Sequence, residues 1–168
     1  MGFLTGKTAI ITGAGRAVLK DGSCGSIGYG IATAYAKEGA NLVITGRNVK
    51  KLEAAKQELE SLYGIKVLTV QADVCAGGNN EATVANVVKQ AVDTFGGIQV
   101  LINNAQASAS GVPLTEHTTE QFDLAIYSGL YAAFYYMKAC YPYLAESHGS
   151  VINFASGAGP VSYTHLRA

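Results

Sequence analysis

Thr8-Ala9-Ile10-Ile11-Thr12-Gly13-Ala14-Gly15, followed after ten intervening residues by Ser26-Ile27-Gly28-Tyr29-Gly30-Ile31, is the stretch on which the fold turns. Thr8 to Thr12 is short, apolar and partly β-branched, the pattern of a buried strand, and Gly13 ends it. Helical spacing starts near Ser26 and predicts Ile27, Ile31, Ala34 and Tyr35 on one face, until Gly39 supplies a C-terminal stop. Strand, glycine loop and helix in that order suggest the first βα unit of a dinucleotide-binding sheet. Glycines let backbone N–H groups approach a pyrophosphate, and the helix N-terminus offers unpaired donors and a positive dipole end. The glycine spacing is irregular, because Arg16 to Gly25 separates Gly15 from Gly28. Thr12-Gly13-Ala14-Gly15 reads as the tight turn, Ser26-Ile27-Gly28 as the helix entry, and the residues between as a loop insertion. The plainer alternative is an ordinary glycine-rich loop.

Moving outward, Asn41 to Thr45 is a second apolar run closed by Gly46-Arg47-Asn48. An acid at this tip would accept ribose hydroxyls and repel a 2′-phosphate; the tip carries Arg47 instead, which favours NADP(H) over NAD(H). Arg16 in the first loop is placed to join Arg47 at such a phosphate, the alternative for Arg47 being a solvated surface cation. Val49 to Tyr63 is helical by spacing, with Val49, Leu52, Leu59 and Leu62 inward and Gly64 as its stop. Lys66 to Gln71 reads as a third strand followed by Ala72-Asp73-Val74, then a helix marked by Val84, Val87, Val88, Ala91, Val92 and Phe95. Gln99 to Asn103 is a fourth strand ending in Asn103-Asn104-Ala105. This alternation implies a parallel sheet covered on both faces, with ligands outside the strand C-termini.

Composition sets the limits. The chain has 168 residues, 49% hydrophobic and 14% charged, enough for one domain with a core. Twelve basic and twelve acidic side chains balance, so nothing points to nucleic acid or to an anionic membrane surface. Met1 to Lys7 has no apolar signal-peptide core and no run is long enough to span a membrane, which with three widely spaced cysteines leads us to expect free thiols in a reducing cytoplasm. No spacing suggests a metal site.

Thr12-Gly13 with Gly28, Asp73-Val74, Asn103-Asn104-Ala105 and the region from Asn153 to Ser156 stand in the order and spacing of the short-chain dehydrogenase/reductase family, which the chain resembles to about Pro160. The resemblance implies an α/β fold, a doubly wound, Rossmann-type parallel sheet of strand order 3-2-1-4-5, incomplete at the C-terminus. Its nucleotide-binding domain would cover residues 1–161. It further implies that Asp73 and Val74 contact the adenine and that Asn103 and Ala105 line the nicotinamide side. The cofactor set is thus Gly13, Gly15, Arg16, Ser26, Ile27, Gly28, Arg47, Asp73, Val74, Asn103 and Ala105. Without the resemblance, Asp73 is an Asx-turn residue and Asn103-Asn104 a strand cap.

The family pattern is broken at two places. Its usual glycine after Asn-Asn-Ala is Gln106. Thr118 to Leu144 reads as one long helix with Phe122, Ala125, Ile126, Leu130, Ala133, Phe134, Met137, Tyr141 and Leu144 as core and dimer-face positions. Where many members carry a catalytic Asn on that helix, this chain has Tyr127-Ser128-Gly129-Leu130, leaving Ser128 or the backbone as substitute, or a different relay.

Val151 to Phe154 reads as a fifth buried strand, with Ser156 just beyond it. The family's serine there holds the substrate oxygen, its tyrosine moves the proton, and a lysine one turn on lowers the tyrosine pKa. Tyr163 and Arg167 have the Tyr-x-x-x-Lys spacing but follow Ser156 too soon, with Pro160 between. Residues 162–168 resemble a translated adapter tail and are set apart from fold reasoning. The expected activity is reversible oxidation of a secondary alcohol on a small molecule by hydride transfer to NADP⁺, with the chain as written inactive. Asn103 to Gly111, Ile126 to Tyr131 and Asn153 to Gly159 look most like the family's bacterial 12α-hydroxysteroid dehydrogenases, which act on bile acids. The full-length parent would be a homo-oligomer. The alternatives are an enoyl reductase of the same fold and a non-catalytic NADP(H)-binding module.

Overall fold

A computed structural model describes residues 2–75, 77 and 80–155. Five strands, β1 (Thr8–Thr12), β2 (Asn41–Gly46), β3 (Val67–Gln71), β4 (Val100–Asn103) and β5 (Ser150–Asn153), form one sheet in the order β3-β2-β1-β4-β5. Every neighbouring pair is parallel. The central strand β1 is buried throughout, as a near-continuous run of apolar and β-branched residues requires of a strand covered on both faces. Helices α1 (Ile27–Lys37) and α2 (Val49–Tyr63) enclose a core of Ile11, Tyr29, Ala32, Leu42, Ile44 and Leu59 on one face. On the other, α3 (Asn80–Phe95) and α5 (Ala132–Glu146) pack Val84, Val87, Tyr136 and Cys140 against Ile10, Val43 and Leu101. Among the described residues no helix is long and apolar enough to cross a membrane.

Three expectations are corrected. In α1 the buried positions are Gly28, Tyr29, Ala32 and Ala36, while Ile27 is 63% exposed at the sheet's upper edge. Small residues won the inward face because the helix lies close on the sheet, and the apolar Ile27 stands over the loop instead. In α2, Leu52, Ala55 and Leu59 are inward, and Val49 and Leu62 face solvent.

The long helix is not continuous. Helix α4 (Thr119–Ile126) opens on a capping box between Thr118 and Gln121, and a single π-turn, Tyr127–Tyr131, separates it from α5. The buried line is Ser128, Ala132, Tyr136, Cys140 and Leu144, spaced by four, whereas Phe122, Leu130, Phe134 and Tyr141 are exposed. The wider turn shifts the inward face away from the positions that an uninterrupted period of 3.6 assigns to the core.

Strand β5 is exposed along its length, not buried. It is the outermost described strand beside β4, with Val151 and Ile152 about two-fifths exposed, so among the described residues nothing covers it.

Candidate active site

Parallel strands present their C-terminal ends to one side, and the loops after β1, β2, β3 and β4 meet there. Thr12 ends β1 with its hydroxyl turned to β4. Its Oγ1 accepts the amides of Asn104 and Ala105, both at 2.9 Å, and the Asn104 side chain returns a bond from Nδ2 to Thr12 O at 2.8 Å. This reciprocal lock fixes the Asn103-Asn104-Ala105 segment beside the glycine turn. Gly13 has φ of 71°, a left-handed conformation that favours glycine, and its amide and that of Ala14 donate to Thr45 O on β2.

The approach between Gly13 and Gly28 is the tightest feature of the loop. A Cβ on Gly28 would overlap Gly13 O and stand 2.6 Å from Asn104 Nδ2. The start of α1 is thereby pressed onto the turn, and Ser26 caps it, accepting from the Tyr29 amide. The first N–H groups of a helix have no partners within it, so those of Ile27 and Gly28 open onto the turn as donors for an anion. Gly15 is packed in the same way: its missing Cβ would lie 3.1 Å from Lys51 Cβ on α2.

The ten-residue insertion folds on itself. Val18 bridges Cys24, Leu19 N donates to Ser23 O and Gly25 N to Ala17 O, making a small hairpin closed by an Asp21–Ser23 turn. Its base is tied to α2, where Arg16 N donates to Lys51 O at 2.8 Å, and Arg16 Nε donates to Glu58 Oε2 while the buried Tyr29 hydroxyl donates to Glu58 Oε1, both at 2.5 Å. Burial first, then the Glu58 bond, pushes the Tyr29 phenol well above its ordinary range. The bonds from Tyr29 and then Arg16 hold the Glu58 carboxyl below its usual value. A depressed carboxylate contributes stability that is present above its ordinary value near 4.5 and is lost as pH falls through the folded value. Melting temperature is therefore expected to drop on the acid side of that value, and Glu58→Gln to remove part of that slope while lowering stability at neutral pH. A pH series of thermal melts on both proteins measures this.

Two clefts meet over Gly13. One, lined by Gly13, Gly15, Ser26, Arg47, Asn48 and Lys51, lies above the glycine turn. The other runs from Arg47 past Ala72, Val74 and Cys75 to Asn104, Ala105 and Gln106. A third continues from Val74 and Ala105 over Asn103, Ser128, Gly129 and Tyr136 to Asn153 and Phe154. Together they make a trench along the upper edge of the sheet.

Of the predicted residues, Gly13, Gly15, Ser26, Arg47, Val74, Asn103 and Ala105 line this trench. Gly28 forms its floor, and the exposed Ile27 stands at the helix entry. Arg16 is engaged with Glu58 instead of standing with Arg47. Asp73 makes the Asx turn, its Oδ1 accepting from Cys75 N at 2.9 Å. Ser156, Tyr163 and Arg167 lie outside the described residues.

Sequence reasoning missed Thr12, Asn104, Lys51 and Asn80. Asn80 is fully buried and donates from Nδ2 to Val74 O and to Tyr127 O, joining the loop after β3 to the π-turn. Ser128 is also buried. It accepts from Ala107 N, and its hydroxyl lies 2.7 Å from Leu124 O and 3.1 Å from Ala107 O, so its single proton is taken by backbone. Its side chain pins the loop after β4 and has no proton left to relay. Asn103 Oδ1 and the Tyr136 hydroxyl are buried without a partner among the described residues, and both residues line the third cleft.

The glycine contacts that a Cβ would fill, the donor end of α1, two cations at the rim and the apolar wall of Ala72 and Val74 fit a dinucleotide lying along the trench.

Residues 7–168 match the family described as short chain dehydrogenase. Over 159 residues the chain is 63% identical to the 12alpha-hydroxysteroid dehydrogenase of Clostridium sp. (strain ATCC 29733 / VPI C48-50), covering 95% of this chain and 59% of that protein. It is 33% identical to the (2S)-[(R)-hydroxy(phenyl)methyl]succinyl-CoA dehydrogenase subunit BbsD of Thauera aromatica, covering 91% and 62%. Among solved structures, L-sorbose reductase from Gluconobacter frateurii complexed with NADPH and L-sorbose superposes with a TM-score of 0.80 at 30% identity, covering 97% of this chain and 57% of that one. The chain thus spans about three-fifths of the length of these curated relatives.

Proposed function

Because the chain belongs to the short chain dehydrogenase family, we propose that it is the nucleotide-binding part of an NADP(H)-dependent oxidoreductase that interconverts a secondary alcohol and a ketone, with a 12α-hydroxysteroid of the bile-acid type as substrate. The observation that carries the substrate is the 63% identity to the Clostridium enzyme over 95% of this chain. The coenzyme reading is supported by Arg47 at the tip of β2 with no acid beside it, and by NADPH in the sorbose reductase neighbour.

When bound, the nicotinamide supplies the hydride acceptor, taking the carbinol hydrogen as the alcohol becomes the ketone. This chain's residues do the holding: the Gly13–Gly28 turn and the α1 N-terminus seat the phosphates, Val74 and Ala105 wall the trench, and Ser156 orients the substrate oxygen. The tyrosine that takes the hydroxyl proton, and its lysine, are expected in the part of the relatives beyond this chain's matched length. The exposed Leu130, Phe134 and Tyr141 suit contact with further chain or a second copy in a homo-oligomer.

The test joins residues 1–160 to the remaining part of the Clostridium enzyme. The chimera is expected to oxidise a 12α-hydroxy bile acid with NADP⁺ and to lose that activity on Ser156→Ala, while the 168-residue chain binds NADPH without turnover. A folded chimera that binds NADPH and leaves the steroid untouched overturns the substrate assignment.

A further inference from the structure

We propose that Lys51, and not Arg16, is the second cation that selects the 2′-phosphated coenzyme, with Glu58 keeping Arg16 out of the cleft; this rests on the nucleotide reading above. Arg47 and Lys51 line the same cleft above the glycine turn, and no acidic side chain lines it with them. Lys51 is fixed from its backbone outward. Its amide donates to the Asn48 cap at 3.0 Å, its carbonyl accepts from Arg16 N at 2.8 Å, and its Cβ rests against Gly15. None of the ion pairs found among the described residues includes Lys51 or Arg47, so both ammonium and guanidinium are available to an anion.

Arg16 starts from the same loop but ends elsewhere. Its Nε and one Glu58 oxygen meet at 2.5 Å, the other Glu58 oxygen takes the proton of the buried Tyr29 hydroxyl, and Arg16 does not line the cleft. A carboxylate already bonded to a buried phenol stays in place, so it holds the guanidinium on the far side of the insertion hairpin. The helix position supports the same assignment. Lys50 and Lys51 sit in the first turn of α2, which has no acidic residue, against the preference of a helix N-terminus for negative charge. A cation there is tolerated where a phosphate offsets it.

The experiment is titration of the 168-residue chain with NADPH and with NADH, the ratio of the two dissociation constants being the readout. Lys51→Met keeps the methylene stem against Gly15 and removes the charge. It is expected to weaken NADPH about tenfold, the worth of one charge-assisted contact, and to leave NADH within about twofold. Lys51→Arg restores most of the ratio, and Arg16→Gln leaves it unchanged. NADH binding serves as the internal control for folding. If the ratio collapses in Arg16→Gln, or survives in Lys51→Met, the assignment is overturned while the nucleotide reading stands. If the unaltered chain binds neither coenzyme, the nucleotide reading itself falls, and this assignment with it.

Discussion

Gly28→Ala is expected to abolish nucleotide binding and to destabilise the fold by about 3 kcal/mol, the upper range for forcing extra volume into a packed site. The new methyl would overlap Gly13 O and approach Gly13 C at 2.9 Å and Asn104 Nδ2 at 2.6 Å. Two of these obstacles are backbone, so no side-chain rotation relieves them. The backbone that would have to move is anchored: Gly13 and Ala14 donate to Thr45 O, and Asn104 is locked to Thr12. Helix α1 must therefore lift from the turn, and the donor end that meets the phosphates goes with it. Denaturant melts and NADPH titration on the same samples measure both effects. A variant that melts like the parent and still binds NADPH would show that the phosphates do not sit on this turn.

Thr12→Val tests the other half of the cradle and is expected to lower stability by about 2–4 kcal/mol, the penalty for two buried donors left without an acceptor. Valine matches threonine in shape, so no cavity confounds the result. What it removes is the oxygen that receives Asn104 N and Ala105 N. Both amides belong to the segment that floors two of the clefts, so loosening it is expected to weaken nucleotide binding in parallel. Thr12→Ser retains the oxygen and is expected to stay within about 1 kcal/mol of the parent. If valine and serine variants prove equally stable, the lock between β1 and β4 is worth little and the segment is held by the sheet alone.

Much of the sheet was legible because each strand is a compact apolar run ended by Gly, Arg or Asn. Thr8 to Thr12 and Val49 to Tyr63 match the observed β1 and α2 residue for residue. Helix facing was less legible where small residues compete. Gly28, Ala32 and Ala36 carry little hydrophobic signal, yet they are what lets α1 lie against the sheet. The π-turn left no trace in periodicity, because Leu130, Phe134 and Tyr141 continue an apolar pattern that faces outward. In the site, glycines and Arg47 were readable from residue type and position. Lys51 was not, since a lysine in a surface helix looks like a solvated charge until the Gly15 contact places it. Glu58 was equally hidden: its role exists only because Tyr29 and Arg16, 29 and 42 residues away in sequence, converge on it.

The π-turn carries a consequence at the level of the gene. A π-turn is an α-helix holding one residue too many, so Tyr127–Tyr131 amounts to a single-codon insertion kept in register by Asn80 and Ser128. Deleting one codon there would restore a smooth helix and rotate everything after it by about 100°. Tyr136 and Cys140 would then leave the core and Tyr141 would turn toward it. Among length changes in this helix, the reading frame of the protein's interior is thus set within five residues, and loops elsewhere are freer to grow, as the ten-residue hairpin between Gly15 and Ser26 already has.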